Sequence, residues 1–166
     1  MPRRAVRTYL EMTDPARLNP AASPSADVTL DREDACPPDL YRQLYADVGR
    51  EHNWVDRLAW SDQEIVDHLA NSALELWVLR EDGRPAGYFE LLRHHDGAVE
   101  VAYFGLLPHA LGRGLGKFML TRAVERAWHL GATRVWLHTS SLDHTSALPN
   151  YLARGFSVWK QETYDV

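Results

Sequence analysis

The feature that most constrains this 166-residue chain is a glycine-rich loop placed between a strand pattern and a helix pattern. Residues 111–116 read LGRGLG, after the apolar run VEVAYFGLL (99–107) and before GKFMLTRAVERAWHLG (116–131), whose apolar residues recur at helical spacing. The first amides of a helix have no intrahelical partner and lie at the positive end of its dipole. Glycine also lets an anion approach the main chain closely. The pattern therefore predicts either a backbone site for a phosphate group or a plain tight turn.

Two common phosphate-binding motifs do not fit this loop. A Rossmann fingerprint needs a third glycine three residues after the second, but Met119 stands three residues after Gly116. A P-loop needs glycine at the position of Leu111 and serine or threonine at the position of Phe118. Both motifs are excluded at positions that they require.

The remaining sequence predicts an α/β (α+β) fold in which antiparallel hairpins lead into a strand–helix–strand unit. Strand patterns alternate or run apolar, and a turn at Glu81–Gly83 joins two of them as a hairpin. The Ser61–Glu64 pair has the spacing of a capping box and marks a helix start. The predicted strands are 6–12, 27–33, 76–82, 84–94, 99–107, 133–139 and 156–166, and the predicted helices are 37–50, 60–71, 116–131 and 145–155.

Composition narrows the class of protein further. The length suits one domain, and 45% apolar with 25% charged residues is ordinary for a globular protein. The net charge of −5 argues against a nucleic-acid partner, and no apolar run approaches the roughly 20 residues of a membrane span. Cys36 is the only cysteine, so no intramolecular disulfide can form, and we expect a cytoplasmic protein. We predict no bound metal.

The loop and the strand before it resemble the acetyl-CoA pyrophosphate loop of the GNAT acetyltransferase superfamily. That family's pattern is Gln/Arg-x-x-Gly-x-Gly/Ala, opening a helix shortly after a strand that ends in apolar-x-Pro. Here 106–108 read LLP, and Gly114 and Gly116 match the two glycines. Leu111 departs from the pattern, because the family usually has Gln or Arg there. We expect this change to weaken binding rather than abolish it.

A second, distant stretch is similar to another GNAT element. SALPNYLARGF (146–156) resembles the family's A-x-x-x-Y-x-x-x-G-F helix and supplies Tyr151, Gly155 and Phe156. By itself a tyrosine on an amphipathic helix is usually a packing residue, but together with the loop it makes a specific match. The resemblance covers 76–166 and carries little of the N-terminal third.

The resemblance implies a GNAT fold, with a mixed, mostly antiparallel sheet whose central strands splay apart and are flanked by helices. It also implies acetyl-CoA as the co-substrate. The residues implied to bind it are Leu106, Leu107, Leu111, Gly112, Arg113, Gly114, Leu115, Gly116, Lys117 and Asn150. Gly105 indicates a bulge or a close backbone approach in the preceding strand, where the family frees main-chain amides for the thioester.

Three residues are candidates for the chemistry of acetyl transfer to an amine. Tyr151 would protonate the departing thiolate, the role that the resemblance implies, since a phenol keeps its proton at neutral pH. Glu100 is the first candidate base, because it is a carboxylate within an apolar strand and matches a glutamate base of the histone-acetyltransferase branch. His138 is the second candidate base. A solvent-facing Glu100 and a water chain in place of a single base are the alternatives.

The acceptor pocket is expected between the N-terminal helices and the splayed strands. Trp54, Asp56, Arg57 and Trp60 lie within seven residues and form either an acceptor-binding wall or a packing cluster. Further candidate lining residues are Tyr88, Glu90, Asp143 and His144.

We predict a domain organisation of an N-terminal strand and wrapping arm (1–37) followed by one acetyltransferase domain (38–166). Within that domain, 38–75 would form the acceptor-side helices and 76–166 the acetyl-CoA-binding core. Only one strand follows Gly155 where the family usually has two. We therefore expect the N-terminal strand or a partner subunit, in a possible homodimer, to cover the edge of the last strand.

The leading hypothesis is an acetyl-CoA-dependent N-acetyltransferase that acts on a small-molecule or peptide amine. A non-catalytic acyl-CoA-binding or regulatory module and a plain interaction domain are the alternatives.

Overall fold

A computed structural model describes residues 2–24 and 27–166 of the chain. A seven-stranded sheet forms its centre, in the order β2-β3-β4-β5-β6-β1-β7. The strands are β1 (Arg4–Met12), β2 (Val28–Arg32), β3 (Leu74–Glu81), β4 (Arg84–Arg93), β5 (Ala98–Leu106), β6 (Arg134–Ser140) and β7 (Ser157–Asp165). The α-helices found in these residues are α1 (Pro38–Gly49), α2 (Asp62–Leu69), α3 (Leu115–His129) and α4 (Ala147–Arg154). The predicted mixed α/β fold is confirmed.

Local signals in the sequence explain several of these elements. Asp82 and Gly83 both have positive φ, as the tight turn between β3 and β4 requires. Both hydrogen bonds of the Ser61–Glu64 capping box are present at the start of α2. Every strand pairing is antiparallel except that of β5 with β6, which α3 connects as a crossover.

The central strands β5 and β6 splay apart, as the resemblance implies. They pair with each other only at their beginnings, where 98–100 face 134–136, and the described residues show no pairing between the two strands beyond that point. The bulge in β5 lies at Ala102, because Glu90 pairs with Tyr103 while Leu91 pairs with Val101. The expected feature at Gly105 is therefore the close approach and not the bulge, which lies three residues earlier.

Gly105 is needed because helix α1 presses on β5 at this point. A Cβ atom at position 105 would lie only 2.4 Å from Cγ1 of Val48 on α1. The same atom would lie 3.6 Å from the Trp54 ring. The missing side chain lets α1 and the segment after it approach the splayed end of the sheet.

The N-terminal strand β1 pairs with the last strand, but it lies inside the sheet. It is hydrogen-bonded to β6 on one side and to β7 on the other. Leu10 and Met12 explain this position, since both side chains are buried in the core. The N-terminal strand thus covers one edge of the last strand, as one of the two expected alternatives had it, and it does so by inserting between β6 and β7, which leaves β7 at the end of the sheet.

Two hydrophobic clusters lie on opposite faces of the sheet. Tyr88 belongs to the cluster with α1 and α2, whereas its neighbour Phe89 belongs to the cluster with α3 and α4. Successive side chains of a strand point to opposite faces, so the helices form one layer on each side.

The segment after β1 crosses the helices of the second layer. The amide of Asn19 donates to the carbonyl of Arg154 at 2.9 Å, and the amide of Ala21 donates to Oγ1 of Thr121 at 2.9 Å.

In the described part of the chain, none of the helices has the length and apolar character to cross a membrane.

Candidate active site

The glycine loop presents its main chain to solvent at the beginning of α3. Gly112 and Gly114 have φ of +75° and +78°, and Gly114 is the residue that caps α3. No side chain caps this helix end, so its first amides keep free donors. A Cβ atom at either glycine would meet nothing within 4 Å, so there is open space beside the backbone. This geometry fits an anion site.

The side chains of the loop contribute less than the sequence suggested. Arg113 forms an ion pair with Glu81 at the end of β3, so its charge is already compensated. Lys117 is exposed and has no carboxylate partner among the described residues, while Leu115 is buried in the core. The positive character of the loop therefore comes from its amides and Lys117.

A narrow cavity of about 70 Å³ connects the loop to the end of β5 and to α4. Nδ2 of Asn150 donates to the carbonyl of Gly116 at 3.3 Å. Oδ1 of the same side chain is buried and has no hydrogen-bond partner within the described residues. This oxygen is available to accept a hydrogen bond from water or from a ligand group such as an amide N–H. Leu111, where the family has Gln or Arg, lines this cavity with its apolar side chain.

Of the two strand-end residues expected to offer amides, Leu107 does not. Its N–H donates to the carbonyl of Ala86 at 2.8 Å, so it is part of the pairing between β4 and β5. Amides alternate in direction along a strand. The N–H of Leu106 therefore points to the other side, toward the opening between β5 and β6.

Tyr151 lies where two cavities meet. Its side chain is 5% exposed and makes edge-to-face contacts with Phe104 and Phe156. No described residue forms a hydrogen bond with its hydroxyl, and the side chain lines both the narrow cavity and a larger one. Burial, reinforced by the negative charge of Asp143, raises the pKa of Tyr151 well above its ordinary value. The phenol is protonated at neutral pH.

The larger cavity has a volume of about 770 Å³ and contains both candidate bases. Glu100 is mostly buried, and Nε2 of His94 lies 3.0 Å from its carboxylate. His138 faces the cavity from β6, beyond the point where the strands splay. Partial desolvation and the nearby guanidinium of Arg7 lower the pKa of His138, so this imidazole is neutral at neutral pH.

The loop before α4 also contributes to both cavities. Asp143 lines the two of them and accepts hydrogen bonds from Oγ1 of Thr139 at 2.5 Å and from the amide of Ser140 at 2.9 Å. His144 lines the narrow cavity, and its Nδ1 lies 2.6 Å from Oγ of Ser146.

The aromatic segment between α1 and α2 divides between lining and packing. Trp54 lines both cavities, and Asp56 and Arg57 line the larger one. Trp60 lines neither; its ring lies against Arg57, at 4.8 Å, and against His68. Asn53 adopts the left-handed conformation and turns the chain so that Trp54 packs back onto α1.

A buried network behind this wall joins residues that the sequence leaves far apart. The Glu90 carboxylate on β4 is fully buried and accepts hydrogen bonds from the Tyr41 hydroxyl at 2.7 Å and Nη1 of Arg57 at 2.9 Å. Nε2 of His68 lies 2.8 Å from its other oxygen. Burial alone would raise the pKa of Glu90, but the contacts with His68, Arg57 and Tyr41 outweigh it and lower this pKa. Arg57 and Glu90 were each predicted as possible lining residues of the acceptor pocket, but not as partners. No sequence pattern indicated Tyr41 or His68.

Comparison with known families and proteins agrees with this geometry. The family model described as "Acetyltransferase (GNAT) family" matches residues 33–156. An uncharacterised N-acetyltransferase of Mycobacterium tuberculosis is 30% identical over 130 residues, which is 78% of each chain. A mycothiol acetyltransferase of Renibacterium salmoninarum is 30% identical over 69 residues, 42% of this chain and 20% of that protein.

Solved structures share the fold at low sequence identity. A GCN5-related N-acetyltransferase from Kribbella flavida superposes with a TM-score of 0.69 at 20% identity, covering 96% of this chain and 57% of that one. A tandem GNAT protein from the clavulanic acid biosynthesis pathway gives 0.64 at 15% identity, covering 99% and 54%. The chain thus spans little more than half the length of these structures. The family match and the mycobacterial relative establish that the chain belongs to the GNAT family of acetyltransferases.

Proposed function

We propose that this protein is an acetyl-CoA-dependent N-acetyltransferase that transfers an acetyl group to a primary amine of a small molecule or peptide. The observation that carries the proposal is the position of Tyr151, a residue that is 5% exposed, whose hydroxyl forms no hydrogen bond with a described residue and whose side chain lines both cavities. A group at the junction of two cavities can act on two substrates held side by side.

The residues around the narrow cavity fit acetyl-CoA. The free amides at the start of α3 and the cation of Lys117 suit its pyrophosphate. The unpartnered Oδ1 of Asn150 suits an amide N–H of its pantetheine arm. The N–H of Leu106, which points toward the opening, would donate to the thioester carbonyl, where negative charge develops during transfer.

Acetyl-CoA supplies the acetyl group as a thioester, whose carbon–sulfur bond breaks as the amine nitrogen bonds to the carbonyl carbon. The amine must first be neutral, so Glu100 or His138, both in the larger cavity, would accept its proton directly or through water. Tyr151 would give its phenolic proton to the departing sulfur and regain one from solvent. No covalent enzyme intermediate is required.

The experiment is a release assay for free thiol, in which acetyl-CoA is mixed with the protein and a panel of monoamines, diamines, amino acids and peptides. We expect thiol release that depends on one class of amine, with the acetylated amine identified by mass spectrometry. Thiol release that no amine stimulates would overturn the proposal.

A non-catalytic acyl-CoA-binding module is the second candidate, favoured by the apolar Leu111 in the narrow cavity. Saturable acetyl-CoA binding without product from any amine would support it. A cytoplasmic location and a homodimer remain predictions.

A further inference from the structure

We propose that Arg57 selects the acceptor by binding a carboxylate on the amine substrate through the Nε–Nη2 edge of its guanidinium. This inference rests on the proposed function and narrows its substrate class to amines that also carry a carboxylate, such as amino acids.

Two aromatic rings lie against the Arg57 guanidinium. The centre of the Tyr103 ring lies 4.2 Å from the guanidinium carbon, and the centre of the Trp60 ring lies 4.8 Å from it. Cation–π contacts of this kind help to hold the position of the group.

One edge of the guanidinium is already used inside the protein. Nη1 binds both oxygens of the Glu90 carboxylate, at 3.0 and 2.9 Å, and also the Tyr41 hydroxyl. Nε and Nη2 form no hydrogen bond with any described residue. Arg57 lines the larger cavity, and a ligand bound there is the partner proposed for this second edge. The Nε–Nη2 edge has two parallel N–H groups, the arrangement that binds a carboxylate in bidentate fashion.

The anchoring of Arg57 is more extensive than a structural ion pair needs. A buried ion pair is costly to desolvate, and a well-packed apolar pair would often be at least as stable. Here Glu90 is fully buried and Arg57 keeps 14% of its side chain exposed. An arginine held through Nη1 and by two aromatic rings, with no hydrogen bond from Nε or Nη2 to a described residue, is arranged in advance to bind a ligand.

The remaining charges of the cavity indicate where the amine would lie. Three carboxylates line the cavity, those of Asp56, Glu100 and Asp143, and none is paired with a lysine or arginine of the described residues, whereas the guanidinium of Arg7 is paired with Glu162. Asp143 also lines the narrow cavity beside Tyr151, whereas Arg57 lines only the larger one. The carboxylates thus favour an ammonium group at the junction with Tyr151, and Arg57 favours a carboxylate farther away.

The test compares each standard amino acid with its C-terminal amide as acceptor for the parent protein. The pair keeps the side chain and the position of the amine and removes the negative charge, and both members are assayed at a pH above the pKa of either amine so that the neutral fractions match. We expect kcat/KM to be about 10- to 100-fold higher for the preferred acids than for their amides, mainly through KM, because a hydrogen bond to a charged group is lost. Equal values for acids and amides would overturn the inference.

Arg57→Lys then tests the residue, since lysine keeps the charge opposite Glu90 but lacks the two-pronged edge. We expect the ratio of kcat/KM for an acid to kcat/KM for its amide to fall in this variant to near one, whatever the variant does to the two rates separately. Arg7→Lys is the matched control, because Arg7 lines the same cavity and its Nη1 also binds a carboxylate, that of Glu162. Loss of the preference in Arg7→Lys but not in Arg57→Lys would contradict the assignment.

The outcomes also separate this inference from the proposed function. Acetylation of simple amines and amides as fast as of amino acids would leave the proposed function standing and overturn the role of Arg57. If no amine is acetylated, the proposed function fails. Calorimetry of the same acid and amide pairs with the CoA-saturated protein then decides the inference, because equal affinities would overturn it.

Discussion

The two sides of the candidate site are built by different means. Around the narrow cavity, most of the groups available to a ligand are main-chain amides, at the glycine-rich start of α3 and at Leu106 at the end of β5. On the acceptor side, a network of side chains from α1, α2, β4 and the segment between the helices surrounds Glu90. A site built from main-chain groups tolerates most changes of side chain. The stability of a buried side-chain network, in contrast, depends on each of its residues.

The largest effect is expected from a substitution in the glycine loop, on the side of the site that is built from main-chain groups. Gly114→Glu places a carboxylate beside the free amides and forces a non-glycine residue to a φ of +78°. We expect CoA affinity, measured by calorimetry, to fall by at least about 100-fold.

Gly131→Glu is its matched control, at the other end of α3. Gly131 has a φ of +85° and open space around its Cβ position, so it carries a similar backbone strain far from the loop. CoA binding by Gly114→Glu as tight as by Gly131→Glu would show that the loop is not the pyrophosphate site.

The next effect tests whether the side-chain network is an all-or-none unit. Glu90→Gln leaves Arg57 buried without its anionic partner, so we expect the free energy of unfolding to fall by about 3–5 kcal/mol. Denaturant titration measures it, and Asp62→Asn is the control, since Asp62 pairs with Arg42 on the surface. That exposed pair should contribute less than about 1 kcal/mol. Equal losses in the two variants would contradict the account.

Acid should weaken the same network. The pKa of Glu90 is lowered from the ordinary value of 4.5, so its ionised form is favoured by folding. The stabilisation is fully present above about pH 4.5 and is lost as the pH falls through the lower, folded-state value. We therefore expect the difference in stability between the parent and Glu90→Gln to narrow steadily below pH 4.5. A difference that grows on acidification would be the opposite of this prediction.

The sequence predicts features whose residues lie close together in the chain better than features whose residues meet only after folding. The capping box, the hairpin turn and the glycine loop are each set by residues within a few positions of one another, and the structure has all three. The sequence predicted β1 as a strand and its pairing with the last strand as one of two alternatives, but not its insertion next to β6, which depends on pairing across more than 120 residues. Tyr41 and His68 meet Glu90 only after folding, so neither could be recognised.

The side chain at the junction should affect rate more than affinity. Tyr151→Phe removes only the hydroxyl, and we expect kcat to fall by about 100-fold with KM for acetyl-CoA nearly unchanged. Tyr88→Phe is a close control, since the Tyr88 hydroxyl also forms no hydrogen bond with a described residue, but Tyr88 lines neither cavity. The parent should show no loss of kcat from phenol ionisation up to pH 10, because the pKa of Tyr151 is raised above that value. Equal kcat in parent and Tyr151→Phe would remove the residue from the mechanism.

The smallest effect is expected at Leu111, the loop position where the GNAT pattern usually has Gln or Arg. Leu111→Gln adds a polar group beside the narrow cavity, and one hydrogen bond would raise CoA affinity by up to about tenfold. Leu152→Gln, on the exposed face of α4, should leave affinity unchanged. Weaker CoA binding in Leu111→Gln would indicate that the apolar side chain itself contacts the ligand.

The claim that joins the two sides is that both substrates meet at Tyr151 and react directly. Initial-rate kinetics with acetyl-CoA and an acceptor amine both varied tests it most directly. Direct transfer requires both substrates to be bound together, so the account predicts double-reciprocal lines that intersect and no acetylated protein in the absence of amine. Parallel lines, with an acetyl group on the protein detected by mass spectrometry before amine is added, would contradict it.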